Sequence, residues 1–257
     1  MKKKVLALLL ASAMAFGVLA GCSSQGGNDT PETTTPGAEN SENVNPSTVT
    51  TVEEGKLIMS TNAAFPPYEM TTDDGGYAGI DVEVAGLIAE KLGLELQIDD
   101  MGFDAALLAV QQGKSDIVMA GVTVTEDRQL VMDFTNSYAN GVQVVIVPEG
   151  SDITTIEDLD GKLIGTQMGT TGYIYCSDTP ENGGYGEDAV VPFDDGAAAI
   201  QALQNGQVDC VVIDNAPAQE FVKANPGLTT LETEYANEKY AIGVAKPVSV
   251  RVDTFGT

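Results

Sequence analysis

Two stretches 93 residues apart carry the same punctuation. Ala105 to Val110, Gln111, Gly113, Asp116 and Ile117 are answered by Ala198 to Leu203, Gln204, Gly206, Asp209 and Cys210. Each reads as a helix closed by Gln and Gly, followed by an Asp that leads into an apolar strand. Any helix–strand hairpin can show one such run, so the surroundings decide. Lys56 to Ser60, Leu94 to Ile98 and Asp116 to Ala120 read as strands. Between them lie a helix over Asp81 to Leu92, with Asp81 as N-cap and Gly93 as its stop, and a second over Asp104 to Gln112. Lys162 to Gln167, Ala189 to Phe193 and Asp209 to Asp214 read as strands around helices over Thr170 to Ser177 and Ala197 to Asn205. Strands alternating with helices imply βαβ units and mainly parallel sheets. The sequence therefore predicts an α/β chain of two similar lobes, 55–141 and 148–238, each a sheet flanked by helices. Val142 to Val147 and the start of 239–257, Tyr240 to Ala245, are apolar and β-rich and are expected to form a two-strand hinge. A cleft between hinged α/β lobes is where such folds bind small molecules.

Charge narrows what could bind there. The chain holds 12 Lys+Arg against 38 Asp+Glu, a net −26, and binding a polyanion depends on clustered cations, so a nucleic-acid partner is excluded. His and Trp are absent, which removes Ser-His-Asp and Cys-His machinery and His-ligated metal sites. No metal or cofactor is expected, and an enzyme built on this chain would have to work with carboxylates, Tyr, Lys or Arg.

The N-terminus reads as an address. Lys2, Lys3 and Lys4 precede an apolar or small-residue run from Val5 to Ala20, somewhat short for spanning a core of about 30 Å. A basic start, an apolar run and small residues at the cut form an export signal over 1–21. The ending Leu19-Ala20-Gly21-Cys22 resembles the bacterial lipoprotein signal, which implies a lipid on Cys22 and a lipid-anchored protein on the extracytoplasmic face of the membrane. Loss of residues 1–21 removes three lysines and no acid, leaving nine cations against 38 acids, or −29. Within 22–54 the residues are Ser-, Thr-, Gly-, Pro- and Glu-rich as far as Thr50. Such a stretch buries too little surface to offset its ordering entropy and reads as a disordered tether, with a mean reach of roughly 30 Å.

The segment Ala120 to Arg128 carries candidate chemistry. It ends a strand and opens a helix for which Thr125 is a suitable N-cap. Free N–H groups at that turn suit an anion, Arg128 can clamp a carboxylate, Thr123 offers a hydroxyl, and the Gly121 carbonyl can accept from an ammonium. Spacing alone equally allows Arg128 to pair with Glu126 on an acidic surface.

A resemblance separates these readings. "GVTVTEDRQLVMDFTNSY" at 121–138 is similar to the signature of the bacterial extracellular solute-binding proteins of family 3, receptors of polar amino-acid ABC importers. The likeness continues through "TNAAFPPYEM" at 61–70, "GIDVEVAGLIAEKLG" at 79–93, "EDLDGKLIGTQMGTTG" at 157–172 and "GQVDCVVIDNAPA" at 206–218. It implies a two-lobe periplasmic-binding-protein-like fold of type II, with Arg128 on a ligand carboxylate and Asp214, also a helix cap, on the ligand ammonium. Phe65 and Phe103 would sandwich the ligand side chain, Asn62 would contact it, and Thr170 and Thr171 would present helix N–H groups to the cleft. Gln167 occupies a second-lobe position where Lys or Arg could sit, so an acidic side chain lacks a partner and a neutral-polar or basic amino acid is expected. The implied partners are a free amino acid, an ABC permease and ATPase, and the membrane, with the receptor itself a monomer.

Rival expectations follow from the same scaffold. Relatives acting as dehydratases or carrying murein-cleaving domains would need a general acid, for which Glu69 and Asp81 are the nearby candidates; a sensing lipoprotein would use the pocket without transport. The resemblance also implies further helices beyond Ala245 that complete the first lobe, whereas the sequence runs on as "KPVSVRVDTFGT", so either the sequence is truncated or frameshifted there or the first lobe is expected to lack a covering layer. Cys176 and Cys210 are expected to be small buried residues, although an exported protein could pair them.

Overall fold

The computed structural model describes residues 49–232 and 234–246. The export signal, most of the tether and the closing stretch 247–257 lie outside the described residues.

Two sheets organise the chain. The first has the order β5-β1-β6-β14-β7, from β1 (Lys56–Thr61), β5 (Glu95–Asp100), β6 (Ile117–Val118), β7 (Met132–Phe134) and β14 (Gly243–Ala245). β1 is parallel to both β5 and β6, and β14 runs antiparallel to β6 and β7. The second sheet has the order β10-β9-β11-β8-β12, from β8 (Ala139–Pro148), β9 (Ile164–Gln167), β10 (Val190–Phe193), β11 (Cys210–Asp214) and β12 (Leu228–Thr230), and β13 (Ala236–Tyr240) also pairs with β8. β9, β10 and β11 are parallel, while β8 is antiparallel to its neighbours. A three-stranded meander, β2 (Ala64–Phe65), β3 (Glu69–Thr71) and β4 (Tyr77–Ala78), follows β1.

The two halves repeat to the level of single hydrogen bonds. Helix α2 (Phe103–Gln111) leads to β6 and helix α5 (Gly196–Gln204) to β11. Gly113 and Gly206 close the turns with φ of 65° and 67°. Asp116 then binds β1, its N–H donating to the Ile58 carbonyl and its carboxylate accepting from the Ile58 N–H. Asp209 repeats this on Leu163, just before β9. The Asp in each half thus locks the start of its own strand beside the start of its parallel neighbour.

Helix α1 (Ile80–Leu92) packs Ala85 and Ala89 against one face of the first sheet with Leu57, Met59, Ile117 and Met119. α2 packs Ala106, Leu107 and Val110 on a second cluster with Val118, Val122 and Met132. Both faces of that sheet therefore carry a helix, while Leu108, Leu130 and Val131 of the same lobe stay exposed. Gly93 ends α1 as expected. Its N-cap is Gly79, however, and Asp81 is a fully buried first-turn residue whose carboxylate points at other elements.

The crossings lie elsewhere than expected. Val142 to Val147 sits wholly within the second sheet, and the chain passes between sheets at 135–138 and at Ala241-Ile242. The two crossings are tied together by Tyr138 N–H on the Tyr240 carbonyl (2.9 Å) and Thr135 N–H on the Ile242 carbonyl (3.1 Å). Cys176 and Cys210 are free thiols buried in one second-lobe core, pushed up to about 12 by burial.

Gly79 sets the entry to α1 at a φ of 125°, and a Cβ there would overlap the Tyr68 carbonyl oxygen. Gly86, inside α1, has open space around it. Gly79→Ala is expected to cost at least about 2 kcal/mol in urea unfolding, from strained backbone and overlap, whereas Gly86→Ala should stabilise by about 0.5–1 kcal/mol through helix propensity.

Candidate functional site

One cavity of about 320 Å³, measured to atom surfaces and including its mouth, lies between the sheets. All ten residues expected at the ligand site line it, joined by Glu69 and Ala120. Four backbone turns position most of them, namely the loop after β1, the start of α2, the turn from β6 into helix α3 (Glu126–Val131), and the turn from β9 into helix α4 (Thr171–Ser177), while Glu69 begins β3 and Asp214 ends β11.

Arg128 is anchored without a carboxylate. Thr125 caps α3 as expected, its hydroxyl accepting from the Arg128 N–H. The guanidinium donates to the Thr123 carbonyl at 2.9 Å and the Gly169 carbonyl at 3.2 Å, and lies 5.3 Å above the Phe103 ring centre. It forms no salt bridge with Glu126. Three of its five donors remain for a guest. Burial pulls its pKa below the ordinary value, opposed by Glu238, Tyr175 and Asp104.

The Gly169 contact crosses the cleft, and so does a second one. Gln167 donates its amide to the Asn62 side-chain oxygen at 2.8 Å and to the Asp194 carbonyl at 3.1 Å, while Asn62 donates to the Met101 carbonyl at 3.0 Å. Thr170 caps α4, accepting from the Tyr173 N–H at 3.3 Å. Thr171 is buried beside Gln143. Phe65 stacks on Tyr68 with ring centres 5.8 Å apart, and any side chain at Gly121 would strike the Phe65 ring.

Asp214 is the N-cap residue of helix α6 (Asn215–Ala224) by position, but its side chain makes no capping bond. Its carboxylate instead accepts from the Tyr240 hydroxyl and from the Gln143 amide (2.9 Å). The same amide reaches Glu238 at 3.1 Å, and Glu238 also receives the Thr123 hydroxyl at 2.9 Å. Thr123 is thus engaged by a carboxylate of the chain itself. Burial, with Glu238 adding repulsion, pushes Asp214 up to about 7. Glu69 and Asp81 form a second acidic pair, both fully buried, and burial holds both pKa values above the ordinary range. The sequence offered Glu69 only beside Asp81, as a nearby acid for the enzyme rival, with no ligand-binding role. Its signal is burial, which depends on β3 folding under α1.

Among the described residues no cluster of His, Cys, Asp or Glu is placed to hold a metal ion, and no helix is long and apolar enough to cross a membrane. Comparison with known proteins then places the chain. Residues 57–198 match the model for bacterial extracellular solute-binding proteins, family 3. A probable histidine-binding protein of Neisseria gonorrhoeae is 32% identical over 96% of this chain and 85% of its own length. The arginine-binding extracellular protein ArtP of Bacillus subtilis is 30% identical over 67% of this chain and 66% of its own length. Among solved structures, arginine-bound ArgBP from T. maritima superposes with a TM-score of 0.69 at 38% identity, covering 75% of this chain and 89% of that one.

The raised carboxylates fix the sign of a stability trend. A carboxyl whose folded pKa exceeds its unfolded value near 3.9 takes up a proton on folding, so its contribution is lost as pH rises from about 4 towards the folded pKa. With Asp214 at about 7, melting temperature without added amino acid should fall between pH 5 and pH 7.5. Asp214→Asn should flatten that slope; an unchanged slope would remove Asp214 as its source.

Proposed function

The chain belongs to the bacterial extracellular solute-binding proteins, family 3, and from that premise we propose that it captures a free amino acid with a basic side chain in the interlobe cavity and hands it to an ABC importer. The observation that carries this reading is the charge of the cavity wall. Arg128 supplies donors for an α-carboxylate and Asp214 receives an α-ammonium. Beyond these, Glu69 presents two buried oxygens that meet no donor. A guanidinium or ammonium in the side chain supplies the missing donors, and a glutamate side chain would add a further buried anion. Phe65 and Phe103 offer ring surface to the aliphatic stem.

The relatives support the same class, since those named above are described as binding histidine or arginine. An ancestral arginine-binding protein 38% identical to this chain has been solved with glutamine bound, so arginine receptors on this scaffold still admit neutral-polar ligands. The expected lipid on Cys22 would hold the receptor on the extracytoplasmic face of the membrane, where a permease and ATPase receive the closed form. An acid catalyst on this fold would need a raised carboxyl, which Glu69 has, but Glu69 is buried beside Asp81 and the relatives named above are binding proteins.

Titration calorimetry should rank L-arginine and L-lysine above L-glutamine, with L-glutamate weakest; tighter glutamate binding would overturn the reading. Arg128→Ala, by removing one side of a buried charge contact worth about 2–5 kcal/mol, should weaken arginine binding at least about 30-fold. Cys22→Ser should move the protein from the membrane fraction to the soluble one.

A further inference from the structure

Glu69 and Asp81 pose a proton-counting problem. Both side chains are completely buried, and they are hydrogen-bonding neighbours. One Asp81 oxygen, Oδ2, accepts the Gly121 N–H at 3.1 Å and the Tyr138 hydroxyl at 2.9 Å. The other, Oδ1, and both Glu69 oxygens have no donor. The titratable and charged groups facing the pair are Asp100 at the end of β5, Asp214 at the end of β11, Tyr138 from the crossing segment and Tyr68 beside Glu69. Among the described residues none of these is a cation, and the charges around Arg128 are Glu238, Asp104 and Asp214 instead.

Two buried carboxyls in contact with no cation between them cannot both ionise. The donor pattern assigns the proton. Asp81, with two donors already on Oδ2, is the ionised member, and a proton on Glu69 turns Asp81 Oδ1 from an orphan into an acceptor. Glu69 itself lines the cavity. Through Gly121, the same pair holds the turn that leads to Thr123 and Arg128.

We propose that a basic amino acid enters this site in exchange for a proton: its cationic side chain docks on Glu69, and the proton shared by Glu69 and Asp81 leaves for solvent. The step balances, since the pair goes from one negative charge to two as the ligand brings one positive charge, and only the Glu69 O–H bond breaks. A neutral side chain brings no charge and leaves the proton in place. The exchange rests on the cationic-ligand reading above and adds a selection that is absent for glutamine.

Asp214 contributes alike to every α-amino acid, so the difference between two ligands isolates the pair. Calorimetry of the full chain with L-arginine and with L-glutamine, in buffers of unlike ionisation enthalpy, is expected to show about one more proton released by arginine. The ratio of arginine to glutamine affinity should rise about tenfold per pH unit below the midpoint of the pair, and Glu69→Gln should make that ratio independent of pH. Tight arginine binding with equal proton release for both ligands overturns the exchange and leaves the cationic reading standing. Arginine binding no tighter than glutamine at any pH overturns that reading and the exchange with it.

Discussion

Taking a carboxyl group out of water is among the costlier things a fold can do, and this cleft does so four times. Glu69 and Asp81 in the first lobe, and Asp214 and Glu238 in the second sheet, are all buried, with Arg128 the buried cation near the second pair. Everything that holds the cleft together answers that excess. Tyr138 and Gly121 donate to Asp81, Tyr240 and Gln143 to Asp214, and Thr123 and Gln143 to Glu238. Several of these donors lie on or beside the crossing segments, so the hinge and the acid network are one construction.

The repeated Asp latch explains how both walls come to the same place. Asp116 and Asp209 each bind the start of the neighbouring parallel strand through backbone N–H and side-chain oxygens together. Parallel strands have no hairpin to set their register, so a side-chain bond at the strand entry supplies it. With register set in both halves, the turns after β6 and β9 emerge at the cleft edge. There they carry Thr123 to Arg128 on one side and Gln167 to Thr171 on the other.

Much of this was legible because it is local. Thr125 as a cap, Gly93 as a stop and the echo of α2–β6 in α5–β11 follow from short-range punctuation and pattern, while the ten residues that gather at one cavity were named mostly through the family resemblance. What was not legible depends on distant partners. Asp81 looked like a helix cap because acids favour the first turn. The fold instead buries it, 40 residues from Gly121 and 57 from Tyr138, and makes it an acceptor for both. Asp214 looked like a cap for the same reason, but a hydroxyl 26 residues on takes its carboxylate first. The crossings were misplaced because Val142 to Val147 is apolar apart from Gln143, lying in a strand that pairs on both sides in the second sheet, and such a run does not show where the chain leaves one lobe.

On the proposed reading, the same charge excess governs closure. Bringing the lobes together moves Glu69 and Asp81 towards Asp214 and Glu238 in a medium of falling dielectric, so the repulsion among them strengthens as water leaves. The cross-cleft bonds from Gln167 to Asn62 and from Arg128 to Gly169 favour closing, but each is a single exchange of a water hydrogen bond for a protein one and is worth about 0.5–3 kcal/mol. A ligand moves a hinge only by the difference between its affinities for the two states. On the proposed reading, a zwitterion with an added cation offsets most where the acids are closest, so its preference for the closed form comes from the same electrostatics that selects it. A ligand without that charge would fill the cavity yet leave the repulsion in place, closing the hinge less completely at equal occupancy.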